Sequence, residues 1–392
     1  MTRLSLMVFA FTFAASVVSA TTCGGNFQTF LNFMKTEARQ KGHSSESIQR
    51  FFATAARDFK TIEADRSQGI FQIPFVEFSN RLISKHRIDH AAKNLKKYAS
   101  IFDRVESRFG VPREILAAFW AFETDFGAVQ GQFNTLNSLL TLAHDCRRPE
   151  LFHPQVFAAL KLYETGNFHP STTQGAWAGE VGMVQMLPED ILFNGIDGDG
   201  DGLINLKTSV PDAMMSGANL LKSLGWRANE PWLQEVTLPS ALDLSLTGLK
   251  TEKTVREWEE LGILSRSGEF KSAKLTSSII LPQGQFGPAF ITYPNFKVLF
   301  EWNQSFVYVT TAAYFATILG GKKRFKNTKP EAGLDDSEMK TLQRKLVSLG
   351  FDVGKIDGIL GAKTRSAVQS VQQKLGLPAD AWPTKKLVLK LN

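Results

Sequence analysis

Apolar and polar positions divide the chain into amphipathic, uniformly apolar and polar stretches. Over residues 26–41 and 88–109 apolar side chains recur every three or four positions among charges, so each stretch is expected to form an amphipathic helix. The run Ile115-Leu116-Ala117-Ala118-Phe119-Trp120-Ala121-Phe122 is apolar nearly all round, which predicts a buried helix. Val111-Pro112-Arg113-Glu114 opens it, with proline in the first turn and an acidic residue that complements the helix dipole. Gly127 is placed to end it. Short β-branched or aromatic runs at 278–281 and 306–310 predict minor strands. From Gly320 the chain turns polar, and 323–335 reads as a linker. Beyond it, 337–349 predicts a helix with Met339, Leu342, Leu346 and Leu349 on one face, ended by Gly350. Residues 364–375 repeat the pattern with Ala367, Val368, Val371 and Leu375. The expected architecture is mainly α: a main domain over 21–322 with a minor β subdomain, and a small three-helix domain over 336–392.

The first residues change the setting. Arg3 precedes an apolar stretch from Leu4 to Val18, and Val18-Ser19-Ala20 offers the small residues that signal peptidase needs. Residues 1–20 are therefore read as a signal peptide cut after Ala20, with export to the periplasm. A retained anchor is the alternative, although the run is shorter than the roughly 20 apolar residues of a membrane span. Cys23 and Cys146 are the two cysteines of the chain, and in an exported protein an even count predicts a disulfide between them. The net charge of +7 would suit docking on anionic envelope surfaces, whereas export makes nucleic acid a poor partner.

Glu123 carries the candidate chemistry. Helical spacing puts it on a face with Leu116, Phe119 and Trp120. A carboxyl against such a wall loses hydration, which raises its pKa. Moving it from about 4.3 to about 6–7 takes roughly 3 kcal/mol of differential solvation, which is what a general acid near neutrality needs. A structural ion pair is the plain alternative. Asp125, two residues on, points away unless the helix breaks there.

The sequence Ala121-Phe122-Glu123-Thr124-Asp125-Phe126-Gly127 resembles the Glu-Thr/Ser motif of lytic murein transglycosylases of the membrane-bound transglycosylase B type. Three further blocks follow in that family's order. Cys146-Arg147-Arg148-Pro149 resembles its Arg-Arg element, Trp177-Ala178-Gly179 through Gly182-Met183-Val184-Gln185-Met186-Leu187-Pro188 its Gly-x-x-Gln-Phe-x-Pro segment, and Asn303-Gln304-Ser305 with Tyr308 its Asn-x-Ser…Tyr segment. The resemblance implies a lysozyme-like catalytic domain that needs no cofactor and acts on peptidoglycan glycan strands. It implies cleavage of the β-1,4 bond between N-acetylmuramic acid and N-acetylglucosamine without water, leaving a 1,6-anhydromuramoyl end, with Glu123 acting first as acid and then as base. Carried over by position, Gln185 and Asn303 would meet the acetamido group. Tyr308, Trp302 and Trp177 would offer ring faces, Met186 an apolar contact, and Arg147 and Arg148 forks for substrate carboxylates. For the aromatics the plain alternative is core packing.

Three departures stand out, the first being Met186 in place of the usual Phe. Ala176 replaces a serine found in some relatives, and Glu180 stands where relatives often have a small apolar residue. Glu180 keeps open a muramidase-type hydrolase that pairs it with Glu123; a non-catalytic wall-binding scaffold is the contrasting class.

Asp197-Gly198-Asp199-Gly200-Asp201-Gly202 has the first half of an EF-hand loop, with oxygens at positions 1, 3 and 5. Position 12 is Thr208 rather than Glu, so Asp212 would have to reach in. Asp197, Asp199 and Asp201 are candidate ligands for a structural calcium, against an acidic turn that holds nothing. His86 and His90, four apart with no third ligand nearby, read as a surface pair. The C-terminal segment resembles three-helix peptidoglycan-binding domains through Leu349-Gly350-Phe351, Asp357-Gly358, Gly361, Thr364-Arg365, Ala367-Val368 and Leu375-Gly376-Leu377-Pro378.

Overall fold

The computed structural model describes residues 23–67, 73–266, 268–325 and 329–391. The expected signal segment and its cleavage site lie outside these residues. The predicted N-terminal helix forms as Phe27–Gln40, capped by Asn26, whose side chain accepts from the Thr29 amide. Its apolar face buries Phe30, Leu31, Met34 and Ala38. The stretch 88–109 is not one helix but two, Lys85–Lys97 and Ala99–Phe109, interrupted at Tyr98. Gly110, in the left-handed region at φ 68°, ends the second, as a glycine suits.

One large core gathers these helices with Thr135–His144, Pro149–Glu164 and Val210–Ser223 around the central apolar helix Arg113–Thr124. The β subdomain is a five-stranded antiparallel sheet, in the order Lys253–Thr254, Thr276–Ile280, Ala289–Thr292, Leu233–Thr237, Leu264–Ser265. Alternation sorts its side chains to two faces. Ile280 and Phe290, paired across two strands, join the main core. Ile279 and Ile291, the adjacent pair, fill a second cluster with Val236, Val255 and Trp258. The strand expected at 278–281 thus lies within and just beyond Thr276–Ile280. That expected at 306–310 is instead the first turns of the helix Phe306–Leu319, buried nearly all round, whose β-branched residues misled a reading of so short a window.

The C-terminal module has the helices Asp336–Ser348, Ala362–Lys374 and Lys385–Lys390 around Met339, Leu342, Leu346, Ala367, Val368, Val371 and Leu387. Leu349 and Leu375 follow the helix ends and are exposed, so the apolar seam is shorter than the spacing predicts. Buried Gln343 fills the loop between the first two helices. It donates to the Ile359 carbonyl (3.1 Å) and accepts from the Gly358 amide (2.9 Å).

The disulfide joins Cys23 to Cys146, 123 positions apart, and the Gly24 amide donates to the His144 carbonyl beside it. No described helix is long and apolar enough to cross a membrane.

Candidate active site

The helix Arg113–Thr124 is buried along Ile115 to Ala121 and emerges at Glu123, which is half-buried. It ends earlier than Gly127. Asp125 (φ 49°) and Phe126 (φ 61°) both adopt the left-handed conformation, a strained choice for non-glycine residues. Neighbours hold it in place. Arg87 donates to the Asp125 carboxylate at 3.1 Å, and Phe126 packs edge-on against Trp120 at 5.5 Å. The break directs Asp125 to Arg87, not toward Glu123 as a catalytic partner.

Thr124 ties this helix end to the loop that carries Gln185. Its hydroxyl donates to the Met183 carbonyl (2.7 Å) and accepts from the Gly127 amide (2.9 Å). The loop folds back on itself through mutual hydrogen bonds of Val181 and Met186, with Gln185 in the turn at φ 52°. Gly182 also has a positive φ, and a Cβ there would meet Leu206 at 2.4 Å, so glycine is required. The Gln185 side-chain Nε2 donates to the Gly182 carbonyl at 2.8 Å.

A third segment closes the site. The helix Pro294–Trp302 ends at Asn303, whose side-chain oxygen accepts from the Ser305 amide, and Ser305 caps Phe306–Leu319. Two donors from this turn meet on one oxygen of Glu123: Tyr308 Oη at 2.5 Å and Trp302 Nε1 at 3.2 Å. The Trp302 ring stacks on Phe119, with centroids 4.5 Å apart. Burial pushes the Glu123 carboxyl up to about 7, and the charge of Glu180 acts in the same direction; the hydrogen bonds from Tyr308 and Trp302 oppose both. Desolvation also holds the Tyr308 hydroxyl well above its ordinary value, so it stays a donor.

Several residues stand differently from expectation. Met186 is 1% exposed and belongs to the core. Tyr308 is buried and reaches Glu123 through its hydroxyl instead of offering a ring face. Arg147 and Arg148 both donate to Asp65, a carboxylate with 1% side-chain exposure. A buried carboxylate needs such partners, so the forks are engaged by the protein itself. Trp302, at the site, remains partly exposed, as does Trp177, which packs against the main core. His90 packs on Phe126 at 4.7 Å and His86 at 5.4 Å, a ring cluster and not a metal pair.

Glu180 lies on the Gln185 loop. Burial pushes its carboxyl up, while Arg148 pulls it down, and its Oε2 is buried without a hydrogen-bond partner. Asp197 and Asp199 of the Asp-rich loop and Asp212 of the helix Val210–Ser223 bring oxygens within 4.8 Å of one another. Asp201 is not part of that group, and its Oδ1 accepts from the Leu203 amide. Three carboxylates at such spacing fit a hard cation. Thr124 and Asp65 are the contributors the sequence reading missed. Thr124 was visible only as a motif letter, and Asp65, some eighty residues from the arginines, gives no local signal.

The Transglycosylase SLT domain family matches residues 26–317, and a peptidoglycan binding domain family matches residues 335–391. Crystal structures of SltB3 from Pseudomonas aeruginosa, in complex with NAG-anhNAM-pentapeptide or NAG-NAM-pentapeptide, share the fold with a TM-score of 0.84. They are 34% identical and cover 94% of this chain and 100% of theirs. Membrane-bound lytic murein transglycosylase B of Escherichia coli (strain K12) is 26% identical over 235 residues, 59% of this chain and 63% of that protein. The chain thus spans less than two thirds of that relative. The Escherichia coli lytic transglycosylase Slt35 in complex with calcium shares the fold at a TM-score of 0.63 and 22% identity, over 79% of this chain and 98% of that one. Because the family match runs across the helix, the loop and the turn that meet at Glu123, the chain belongs to the SLT transglycosylase family.

Proposed function

We propose that the protein is a lytic transglycosylase of peptidoglycan, with Glu123 as its one catalytic acid and base. The observation that carries the reading is a carboxyl on which both protein donors meet at Oε1, with its pKa raised by burial to about 7, so that it can give and take a proton near neutrality. Oε2 is left to meet the glycosidic oxygen. Glu123 protonates that oxygen as the bond to the muramoyl C1 breaks, and the substrate's own acetamido group steadies the positive centre. The resulting carboxylate takes the proton of the C6 hydroxyl as its oxygen bonds to C1. One carboxyl therefore suffices, and the product ends in 1,6-anhydromuramic acid. Tyr308 and Trp302 stabilise the carboxylate midway through the cycle.

The two-carboxylate hydrolase has one observation in its favour, the shared electrostatics of Glu123 and Glu180. Against it, the protein donors meet on Glu123, whereas Glu180 Oε2 is buried without a hydrogen-bond partner. Gln185, Asn303 and the partly exposed rings of Trp177 and Trp302 are the proposed sugar contacts. The C-terminal module holds the enzyme on the wall polymer, in the periplasm or at its membrane surface. The Asp197, Asp199 and Asp212 cluster binds calcium as a structural ion.

Glu123→Gln tests the reading. Turnover of sacculi should vanish while their binding persists; a scaffold would lose nothing, and residual turnover near the native rate would refute the assignment.

A further inference from the structure

The C-terminal module meets the catalytic domain along a seam whose centre is Arg365. The guanidinium projects from the helix Ala362–Lys374 and donates to the carbonyls of Leu281 (3.4 Å) and Pro282 (2.6 Å) at the end of a strand of the sheet. Two rings lie near it: Phe306, with its centroid 4.3 Å from the guanidinium carbon, and Trp382, at 5.8 Å. Among the described residues no carboxylate comes within ion-pair distance, and Nε has no hydrogen-bond partner. Desolvation pulls the guanidinium down to about 9, with only Asp380 opposing. A charge so placed is costly, and its attachments are backbone carbonyls and ring faces rather than an opposite charge.

The seam has further anchors on either side. Gln369 donates to the Thr247 carbonyl (2.8 Å), and the Gln285 amide donates to Asp380 (3.0 Å). A Cβ on Gly284 would meet Asp380 and Trp382 at 2.8 Å, so the two surfaces approach closely. Between these anchors lies a cavity of about 140 Å³ walled by Phe306, Arg365, Leu249 and Ala381. The Phe306 ring thus lines this cavity and meets Arg365 across the seam, while it also packs into the main core beside Phe300.

Phe306 is the first residue of the helix that carries Tyr308. Two positions separate the ring under Arg365 from the hydroxyl that donates to Glu123. We infer that Arg365 is a positioning residue for catalysis: by bracing Phe306 across the seam, the wall-binding module fixes the turn from Asn303 to Tyr308 and keeps Tyr308 on Glu123. The module is then part of the catalytic architecture as well as an anchor. The inference rests on the reading of Glu123 given above.

The test uses the full chain and a soluble NAG-NAM-peptide tetrasaccharide. Arg365→Met keeps the volume of the side chain and removes its donors and charge, so the seam stays filled; Phe306→Leu removes the brace from the other side. In either variant kcat should fall at least fivefold with KM within twofold of wild type. Added to Tyr308→Phe, Arg365→Met should lower kcat no further, because the contact it positions is already gone. Unchanged kcat in both single variants would overturn the inference. So would losses that multiply in the double variant, or a defect confined to sacculus binding. Should the wild type leave reducing ends rather than anhydro ends, the reading of the reaction fails, and the kcat comparison still decides whether Arg365 positions the site.

Discussion

The hydroxyl of Tyr308 donates to Oε1 of Glu123 at 2.5 Å, joining the helices Arg113–Thr124 and Phe306–Leu319 across 185 positions of sequence. This bond favours the carboxylate and opposes the burial that raises Glu123 to about 7. Tyr308→Phe should therefore raise that pKa further and move the alkaline limb of kcat up by about one pH unit. The plateau rate should drop roughly tenfold, since a charge-assisted hydrogen bond is worth about 1.5–3 kcal/mol. Rate profiles between about pH 5 and 9 read both; a limb that stays in place would deny the coupling.

Glu123 should also cost stability in a defined window. Its folded pKa of about 7 lies above the ordinary value of 4.5, so between these the folded state keeps a proton that the unfolded state has released. Stability then falls as pH rises through that interval, and the whole cost, up to about 3 kcal/mol, is present above it. Glu123→Gln carries no such term. Urea melts at both ends of the window should show the variant gaining on wild type by about 2–3 kcal/mol at the alkaline end. An equal gap at both ends would mean that burial does not tune this carboxyl.

Glu180 acts on Glu123 in the opposite sense to Tyr308. Its charge helps to keep the proton on Glu123, so Glu180→Gln should move the alkaline limb down by roughly half to one pH unit. Anhydro ends should still form. Loss of activity at every pH in a folded variant would instead make Glu180 a second catalytic carboxylate.

Calcium should raise the melting temperature by several degrees. At one hundred times its dissociation constant a native-state ligand contributes about 2.7 kcal/mol. Asp212→Asn should abolish the response, since Asp212 joins Asp197 and Asp199 in the cluster. Identical melting in calcium and in chelator would refute the site.

What the sequence showed clearly was the part governed by local pattern. The apolar run before Glu123 predicts both a buried helix and a shifted carboxyl, and both appear. The three segments around the site could be named from motif order. Their chemistry was less legible, because each role depends on partners far along the chain. Tyr308 looked like a stacking ring, yet burial turns its hydroxyl onto Glu123. Arg147 and Arg148 looked free for substrate, yet Asp65 takes both. The end of the glutamate helix was hidden for another reason. Left-handed Asp125 and Phe126 are imposed by Arg87 and by packing, against their own preference. Arg365 was legible only as part of the Thr364-Arg365 element of the C-terminal resemblance, since no pattern within the module announces the seam it fills.

The central claim is that a single carboxyl cuts the strand without water. Mass spectrometry of the ends released from purified sacculi tests it most directly. Wild type should release 1,6-anhydromuramoyl ends and Glu123→Gln none; reducing-end muramic acid as the wild-type product would rule out cleavage without water.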